Sequence, residues 1–515
     1  MPERPSPDPD RSWLSRPFVH VRIVAGKTVV RGVRAWFGGH VLRLGPDGAA
    51  DGIFGAWRAD ENGVEVRNDR YGCYPLYYFA NAQEIAVSPF VMTLLACGAP
   101  RELDDEGLAV FVRTMFFLGE HTPFRHIRAL PPGCRLRWSG GALQVSGGMV
   151  NATERTISRD AAIDTFIDLF AQSVGRRAAG LGPLIVPLSG GRDSRHILLE
   201  LLRQGHTPDC CITTHQFPPT PDHDVAIASE VARTAGVRHV IVRLPVFPVR
   251  GELAKNLWLG LGTEEHAQFL PVMRAMAAYP AVRAFDGIGG DVLTGDWLKR
   301  NDRLALFLSG RLGELADSFL PEHREAALKA MLPSGVYARL DRGLARDALL
   351  AELRRHATQP NPVGSFMFWN RSRRILPLVS WGLYAGVATV FAPYLDRDVF
   401  DFLTSLPGTM LQDRQFHNDA IRRAYPRYAD IPFSMDLDEA PRVEDRWFNR
   451  RFVAGIMAQL AAGGSTLVRR AYLLPRLARS LWNGHRRFPP YLTLYLLQLG
   501  RIAGGHNWED PERSP

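Results

Sequence analysis

Between Phe18 and Trp138 the apolar residues come in short runs, HVRIVAG, TVVRGVRAWFGG, GIFGAWRADENGVEVRNDR and CRLRW, separated by glycine and Asn-Gly steps. Runs of this length broken by turn residues predict short strands in antiparallel sheets. After Ile157 the period changes, and SRDAAIDTFIDLFAQSVGRRAAG spaces its apolar residues as a helix does. Leu184 to Leu188 is a short apolar run with two branched residues, which fits a buried strand. Ile197, Leu198, Leu201 and Leu202 then follow with helical spacing, closed by Gly205. CCITTH (Cys210 to His215) reads as a second strand, Asp222 to Gly236 as a capped helix with Ile227, Val231, Ala232 and Ala235 on one face, and HVIVRL (His239 to Leu244) as the next strand. The expected fold class is α/β: an antiparallel β-sandwich followed by a doubly wound parallel sheet and C-terminal helices.

The longest apolar stretch, Leu376 to Leu395, is long enough to raise a membrane span. Pro377 and Pro393 lie near its ends and Ser380, Gly382, Gly386 and Thr389 inside it, so the pattern predicts buried core and no transmembrane segment. A chain of 515 residues predicts two or three domains. The net charge of +9 and a pI near 9.5 suit an acidic partner such as a nucleotide, a nucleic acid or a membrane surface. Cys73, Cys97, Cys134, Cys210 and Cys211 form neither a C-x-x-C pair nor an even framework, so zinc and disulfides are not implied and a cytoplasmic location is expected. The opening MPERPSPDPDRSWL lacks the apolar core of a secretion signal and reads as a loose tail.

Chemistry concentrates in SGGRDS, between the strand at Leu184 to Leu188 and the helix after it. The first turn of a helix carries unsatisfied N–H groups and the positive end of the dipole, so it receives phosphate. Gly190 and Gly191 let the backbone come close, and Ser189 and Ser194 add hydroxyls. Asp193 puts a carboxylate where a magnesium ion on a polyphosphate would need one. No G-x-x-x-x-G-K-[ST] is present, so transfer of a terminal phosphate to a hydroxyl is not the first expectation. AVRAFDGIGGDVLTGD (Ala281 to Asp296) repeats the design: an apolar strand, then Gly287, Gly289, Gly290 and Asp291. Thr213 and Thr214 end the second strand, either beside adenine or ribose or simply as its last residues.

S-G-G-x-D-S with its flanking strand and helix resembles the pyrophosphate loop of ATP pyrophosphatases, in which ATP is split to AMP and pyrophosphate while a substrate is adenylated. Upstream, DRYGCYPLYYF (Asp69 to Phe79) and TPFRHIRALPPGCRLRW (Thr122 to Trp138) resemble the D-R-x-G-x-x-P-L-Y-Y and L-P-P-G segments of the glutamine-dependent asparagine synthetase family. The resemblance implies a tail over 1–17, an Ntn glutaminase-like domain over 18–150, an ATP-pyrophosphatase domain over 151–440 and a basic helical extension over 441–515. That family's glutaminase nucleophile is a cysteine at residue 2. Here residue 2 is Pro2, and Cys73 lies inside the aromatic strand at a variable position, so a domain without glutaminase chemistry is expected.

The second loop resembles the family's S-G-x-G-x-D-E, which implies that Asp193 and Asp291 hold magnesium. Asp286 replaces the serine and Val292 the glutamate, while Ile288 stands where asparagine synthetases carry Glu and the related β-lactam synthetase Tyr. Val387 to Pro407 resembles the R-x-P-F-L-D segment. NDAIRRAYP (Asn418 to Pro426) resembles K-x-x-L-R-x-A, with Asn418 at the lysine position and Arg422 at the arginine. The family's later catalytic lysine has no counterpart in DIPFSMDLDEAPRVEDR, where Arg442 is the nearest cation. The implied ATP site is Leu188, Ser189, Gly190, Gly191, Asp193, Ser194, Thr213, Gly289 and Gly290, and the implied catalytic residues are Asp193, Asp291 and Arg422.

The expected function is ATP- and Mg2+-dependent amide formation. The substrate is a peptide or amino-acid derivative that carries its own amine, as in the β-lactam synthetase and the macrolactam synthetases that close lasso peptides. Asparagine synthesis from free ammonia is one alternative and a tRNA-modifying enzyme of the same loop class another. The tRNA enzymes do not resemble the DRYG and LPPG segments, so no nucleic acid is expected. Arg446 to Trp508 contains ten arginines and no acidic residue. These are either solvated faces of docked helices or a surface for a partner protein, an acidic peptide or a membrane.

Overall fold

A computed structural model describes residues 13–44, 50–180, 182–215, 222–243, 248–299, 302–434, 437, 446–463, 465–484 and 489–506. The short apolar runs of the first third pair as two antiparallel sheets. One orders Lys27–Gly32 (β2), Val19–Val24 (β1), Glu84–Ser88 (β7), Tyr77–Ala80 (β6) and Arg128–Ala129 (β8). The other orders Ala142–Ser146 (β10), Arg135–Ser139 (β9), Gly63–Asn68 (β5), Ala50–Asp60 (β4) and Ala35–Leu44 (β3). The DRYG segment is a turn wrapped around one buried carboxylate. Asp69 accepts the backbone N–H groups of Tyr71, Cys73 and Tyr74 at 3.0, 3.1 and 2.8 Å. Because those amides are spent on Asp69 and Pro75 has none to offer a ladder, β6 starts only at Tyr77. Cys73 therefore sits in the turn and not inside the aromatic strand.

The second half holds five parallel strands: Leu184–Pro187 (β11), Cys210–His215 (β12), His239–Arg243 (β13), Val282–Phe285 (β14) and Ala388–Phe391 (β15). Their spatial order is β13-β12-β11-β14-β15. The chain builds outward from β11 in one direction, then returns to build on its other side, which leaves a topological switch point between β11 and β14. Side-chain caps delimit the helices between them. Ser158 accepts from Ala161 N–H to open Arg159–Ala178, and Asp222 accepts from Val225 N–H to open His223–Ala235, which Gly236 closes at φ 71°.

The apolar stretch at Leu376 to Leu395 is buried core, folded into the short helical turns Leu378–Leu383 and Tyr384–Gly386 before β15. No helix among the described residues is long and apolar enough to cross a membrane. The basic C-terminal part supplies Arg446–Ala461, Arg470–Asn483 and Pro490–Ala503. The last of these is locked in place: the Tyr495 ring stacks on Phe111 at 4.6 Å and its hydroxyl donates to Leu261 O at 2.9 Å.

A buried ion pair ties the two halves together. Arg113 Nε and Nη2 each donate to a Glu325 carboxylate oxygen at 2.7 Å, and Arg113 Nη1 donates to Leu340 O at 2.8 Å. Removing one member strands the other charge in the core. Arg113→Ala is expected to lower stability by about 3–5 kcal/mol, read from denaturant unfolding.

Candidate active site

Both glycine loops leave the carboxyl ends of their strands at the switch point, where doubly wound sheets receive ligands. Leu188 extends β11 by donating its N–H to Ile212 O at 2.9 Å. The loop then turns on its own hydroxyls. Ser194 Oγ accepts Ser189 N–H at 2.9 Å and lies 3.0 Å from Ser189 Oγ, which accepts Gly191 N–H at 3.2 Å. Asp224, from the next helix, accepts Gly190 N–H at 2.8 Å, and Gly190 O accepts Ser434 N–H at 2.9 Å. A side chain at Gly190 would strike Asp224 O at 2.9 Å, whereas one at Gly191 would meet only the Ser189 hydroxyl at 3.2 Å. The loop is thus held from one side and open at Gly191. Asp193 begins the helix Asp193–Arg203, so its carboxylate stands at the helix's N-terminal end.

The second loop lies directly against Asp193. A Cβ on Gly287 would fall 2.8 Å from Asp193 Cβ, and one on Gly290 only 2.5 Å from Asp193 Cγ. These two glycines make room for the Asp193 side chain, while Gly289 supplies the left-handed turn at φ 92°. Asp291 follows Gly290 at the start of Gly290–Leu293, its Oδ1 accepting Val292 N–H at 2.7 Å. Burial holds the Tyr394 hydroxyl well above its ordinary pKa, and the charges of Asp193 and Asp291 both add to the effect. Gly290→Ala cannot be accommodated without moving Asp193. It is expected to cut turnover at least tenfold while shifting the melting temperature little, as checked by steady-state kinetics beside thermal unfolding.

Sequence reasoning missed the groups behind Asp193. His417 Nδ1 lies 3.4 Å from Asp193 Oδ1 and 3.3 Å from Thr294 Oγ1. The Thr294 hydroxyl already donates to Gly290 O at 2.6 Å, so it offers His417 a lone pair and Nδ1 carries the hydrogen. Nε2 then accepts, with His196 Nδ1 at 3.0 Å and the Tyr394 hydroxyl at 3.2 Å. The single Tyr394 hydrogen is shared between His417 Nε2 and Asp193 O, which is also 3.2 Å away. One buried network therefore connects the first loop, the second loop and the helix Phe416–Ala424. His417 stands directly before Asn418 in that helix, and the period that marks it as core hides its role.

Other predicted positions are spread more widely. The Thr213 hydroxyl donates to Leu188 O at 2.7 Å and meets His239 Nε2 at 2.7 Å, which pins the two strand ends together; Thr214 donates to Gln268 O at 3.2 Å. Arg422 is exposed on its helix, 4.0 Å from Asp419, with its guanidinium 5.8 Å from the Phe433 ring that Arg195 also covers. Asn418 is buried and donates to Gln415 Oε1 at 3.2 Å, and Ile288 is core. Arg442 lies outside the described residues.

The fold and loops define a two-part α/β protein: a glutaminase-like pair of antiparallel sheets joined to a synthetase-type parallel sheet with two facing glycine loops. Residues 48–147 match the glutamine amidotransferase domain family and residues 165–369 match the asparagine synthase family. The chain belongs to the asparagine synthetase family. No curated protein matches it. Among solved structures, it is similar to glutamine phosphoribosylpyrophosphate amidotransferase from B. subtilis complexed with ADP and GMP, at 11% identity and a TM-score of 0.15, over 53% of this chain and 59% of that one. A likeness that weak carries no argument, and it spans less than two thirds of that protein's length.

Proposed function

We propose that the protein is an ATP-dependent, AMP-forming amide synthetase that adenylates a substrate carboxylate and joins it to an amine carried by the same molecule, a peptide or amino-acid derivative. The observation that carries this reading is the contact between the two loops: Asp193, at the head of the helix behind SGGRDS, is clasped by Gly287 and Gly290 of the loop that bears Asp291. That arrangement suits pyrophosphate departure from ATP. Gly190 and Gly191 let the phosphates approach the backbone and Ser189 and Ser194 offer hydroxyls, with the helix dipole behind them. Leu188, Thr213, Gly289 and Gly290 form the neighbouring walls.

Magnesium fits the same place. Among the described residues no three His, Cys, Asp or Glu side chains gather as a protein-only metal site. Magnesium instead uses one or two carboxylates and completes its shell with substrate phosphates and water. Asp193 and Asp291 would hold it, and it would neutralise charge on the leaving pyrophosphate. His417, itself held by Thr294, keeps Asp193 aimed across the gap, and Arg422 would add positive charge.

No ammonia comes from glutamine in this reading. Burial pushes the thiols of Cys134 and Cys211, and of the half-buried Cys97, up to about 12, and raises those of Cys73 and Cys210. A cytoplasmic location and the boundaries 18–150, 151–440 and 441–515 belong to the same proposal, with the basic C-terminal part offering a surface to a partner. Incubation of the protein with ATP, magnesium and candidate peptides, read by mass spectrometry, is expected to show loss of one water with stoichiometric AMP. Glutamine should yield no glutamate, and aspartate plus ammonia no AMP above background. Asparagine formation at a comparable rate would return the protein to ordinary asparagine synthesis.

A further inference from the structure

Asp286, the residue that follows β14, is a carboxylate without a counter-ion among the described residues. Its Oδ1 accepts Ile288 N–H at 3.1 Å and its Oδ2 accepts the Ser380 hydroxyl at 2.5 Å. Among the described residues no cation pairs with it. The residue keeps partial exposure, yet protein surrounds the carboxyl closely enough that desolvation pushes its pKa up, against the bonds from Ser380, Ile288 and Gly287. Asp69 shows the contrast, for it is wholly buried and answered by three amides of its own turn.

Four residues beyond Ser380, in the adjoining helical turn, is a second polar group without an answer. The Tyr384 hydroxyl is fully buried and has no hydrogen-bond partner among the described residues. Leaving such groups unmatched costs free energy unless a ligand supplies the missing partner. A primary ammonium does so: it brings one positive charge and three N–H donors. The Asp286 oxygens keep a spare lone pair after the bonds from Ser380, Ile288 and Gly287, and the Tyr384 and Ser380 oxygens can accept as well. Position agrees with the chemistry. Gly287, the next residue, lies against Asp193, so Asp286 is one residue from the phosphate half of the site, while its carboxylate is bonded to Ser380 on the turn that leads to Tyr384.

We propose that Asp286, with Ser380 and Tyr384, is the subsite for the attacking primary amine. The inference rests on the amide-synthetase reading given above and names the acceptor group within it. The ammonium docks on the Asp286 carboxylate, which takes one of its protons. The freed nitrogen lone pair bonds to the carbonyl carbon of the acyl adenylate. The bond from that carbon to the phosphate oxygen then breaks, AMP leaves with the electron pair, and the amide nitrogen loses its second proton to solvent.

The test uses the full chain with two probes, n-propylammonium chloride and glycinamide, with 1-propanol as the neutral control. Binding is read by ligand-observed NMR in the presence of magnesium and α,β-methylene-ATP, whose own affinity is measured in parallel. Wild type is expected to bind both amines saturably and the alcohol not at all. Asp286→Asn and Asp286→Ser should bind the amines at least tenfold more weakly, and Tyr384→Phe a few-fold more weakly, with nucleotide affinity within twofold of wild type. Absence of amine binding by wild type, or equal binding by Asp286→Asn, overturns the inference. Loss of nucleotide and amine binding together in both Asp286 variants assigns the residue to folding and also overturns it. Failure of wild type to bind the magnesium nucleotide sinks the synthetase reading instead, a separate result.

Discussion

Asp193→Asn and Asp291→Asn are each expected to lower substrate-dependent pyrophosphate release by about 10²–10³-fold or more, the size of effect seen when one preorganised electrostatic contact to a developing charge is removed. Asparagine keeps the shape of aspartate, so the fit of residue 193 between Gly287 and Gly290 survives and only the charge is lost. The fold should persist, because asparagine keeps the oxygen that accepts a neighbour's N–H at 2.7 Å at position 291, and at position 193 the side chain meets a neutral His417 at 3.4 Å and the Arg192 guanidinium only at 4.0 Å. Circular dichroism and melting temperature serve as the control. Magnesium dependence decides the interpretation. Near-normal turnover with an unchanged magnesium requirement in either variant would show that the two loops do not share an ion.

Acid should unfold the protein earlier than its surface charges suggest. His196 and His266 are buried and desolvated, with pKa values lowered to about 3, and burial holds His417 well below the usual range. Each is neutral in the fold and takes a proton once unfolded, with an ordinary pKa near 6.5. The unfolded chain therefore binds more protons at any pH between those values. Stability is fully present above about pH 6.5 and is lost as pH falls through that point, by about 1.4 kcal/mol per pH unit for each histidine. The melting temperature is expected to drop steeply between pH 6.5 and 4. His196→Phe, which keeps a ring against Phe170 where the imidazole now stacks at 3.8 Å, should make the slope shallower by one histidine's share. A melting temperature flat between pH 7 and 5 would rule this out.

What the chain shows without its structure is whatever depends on neighbours in sequence. The strand at Leu184–Pro187, the turn at Ser189–Gly191 and the helix after it follow from a short apolar run, two glycines and a 3.6-residue period. Asp222 and Gly236 bound their helix because a cap needs only residues three or four positions away. The glycine loops, their acids and the resemblance that named the family are local in the same sense.

Tertiary structure decided which local pieces meet. Strand order placed β11 beside β14, and only then did Gly287 and Gly290 prove to be seats for Asp193. His417 reaches Asp193 across more than two hundred residues, and Ser434 and Asp224 reach Gly190 from two further segments. Cys73 left its predicted strand because a buried carboxylate at Asp69 claimed the amides on either side of it. Asp286 read as a substituted serine until its surroundings showed the Ser380 hydroxyl and, among the described residues, no cation. Hydrogen-bond satisfaction and charge compensation are settled between groups distant in sequence, and a linear pattern records neither.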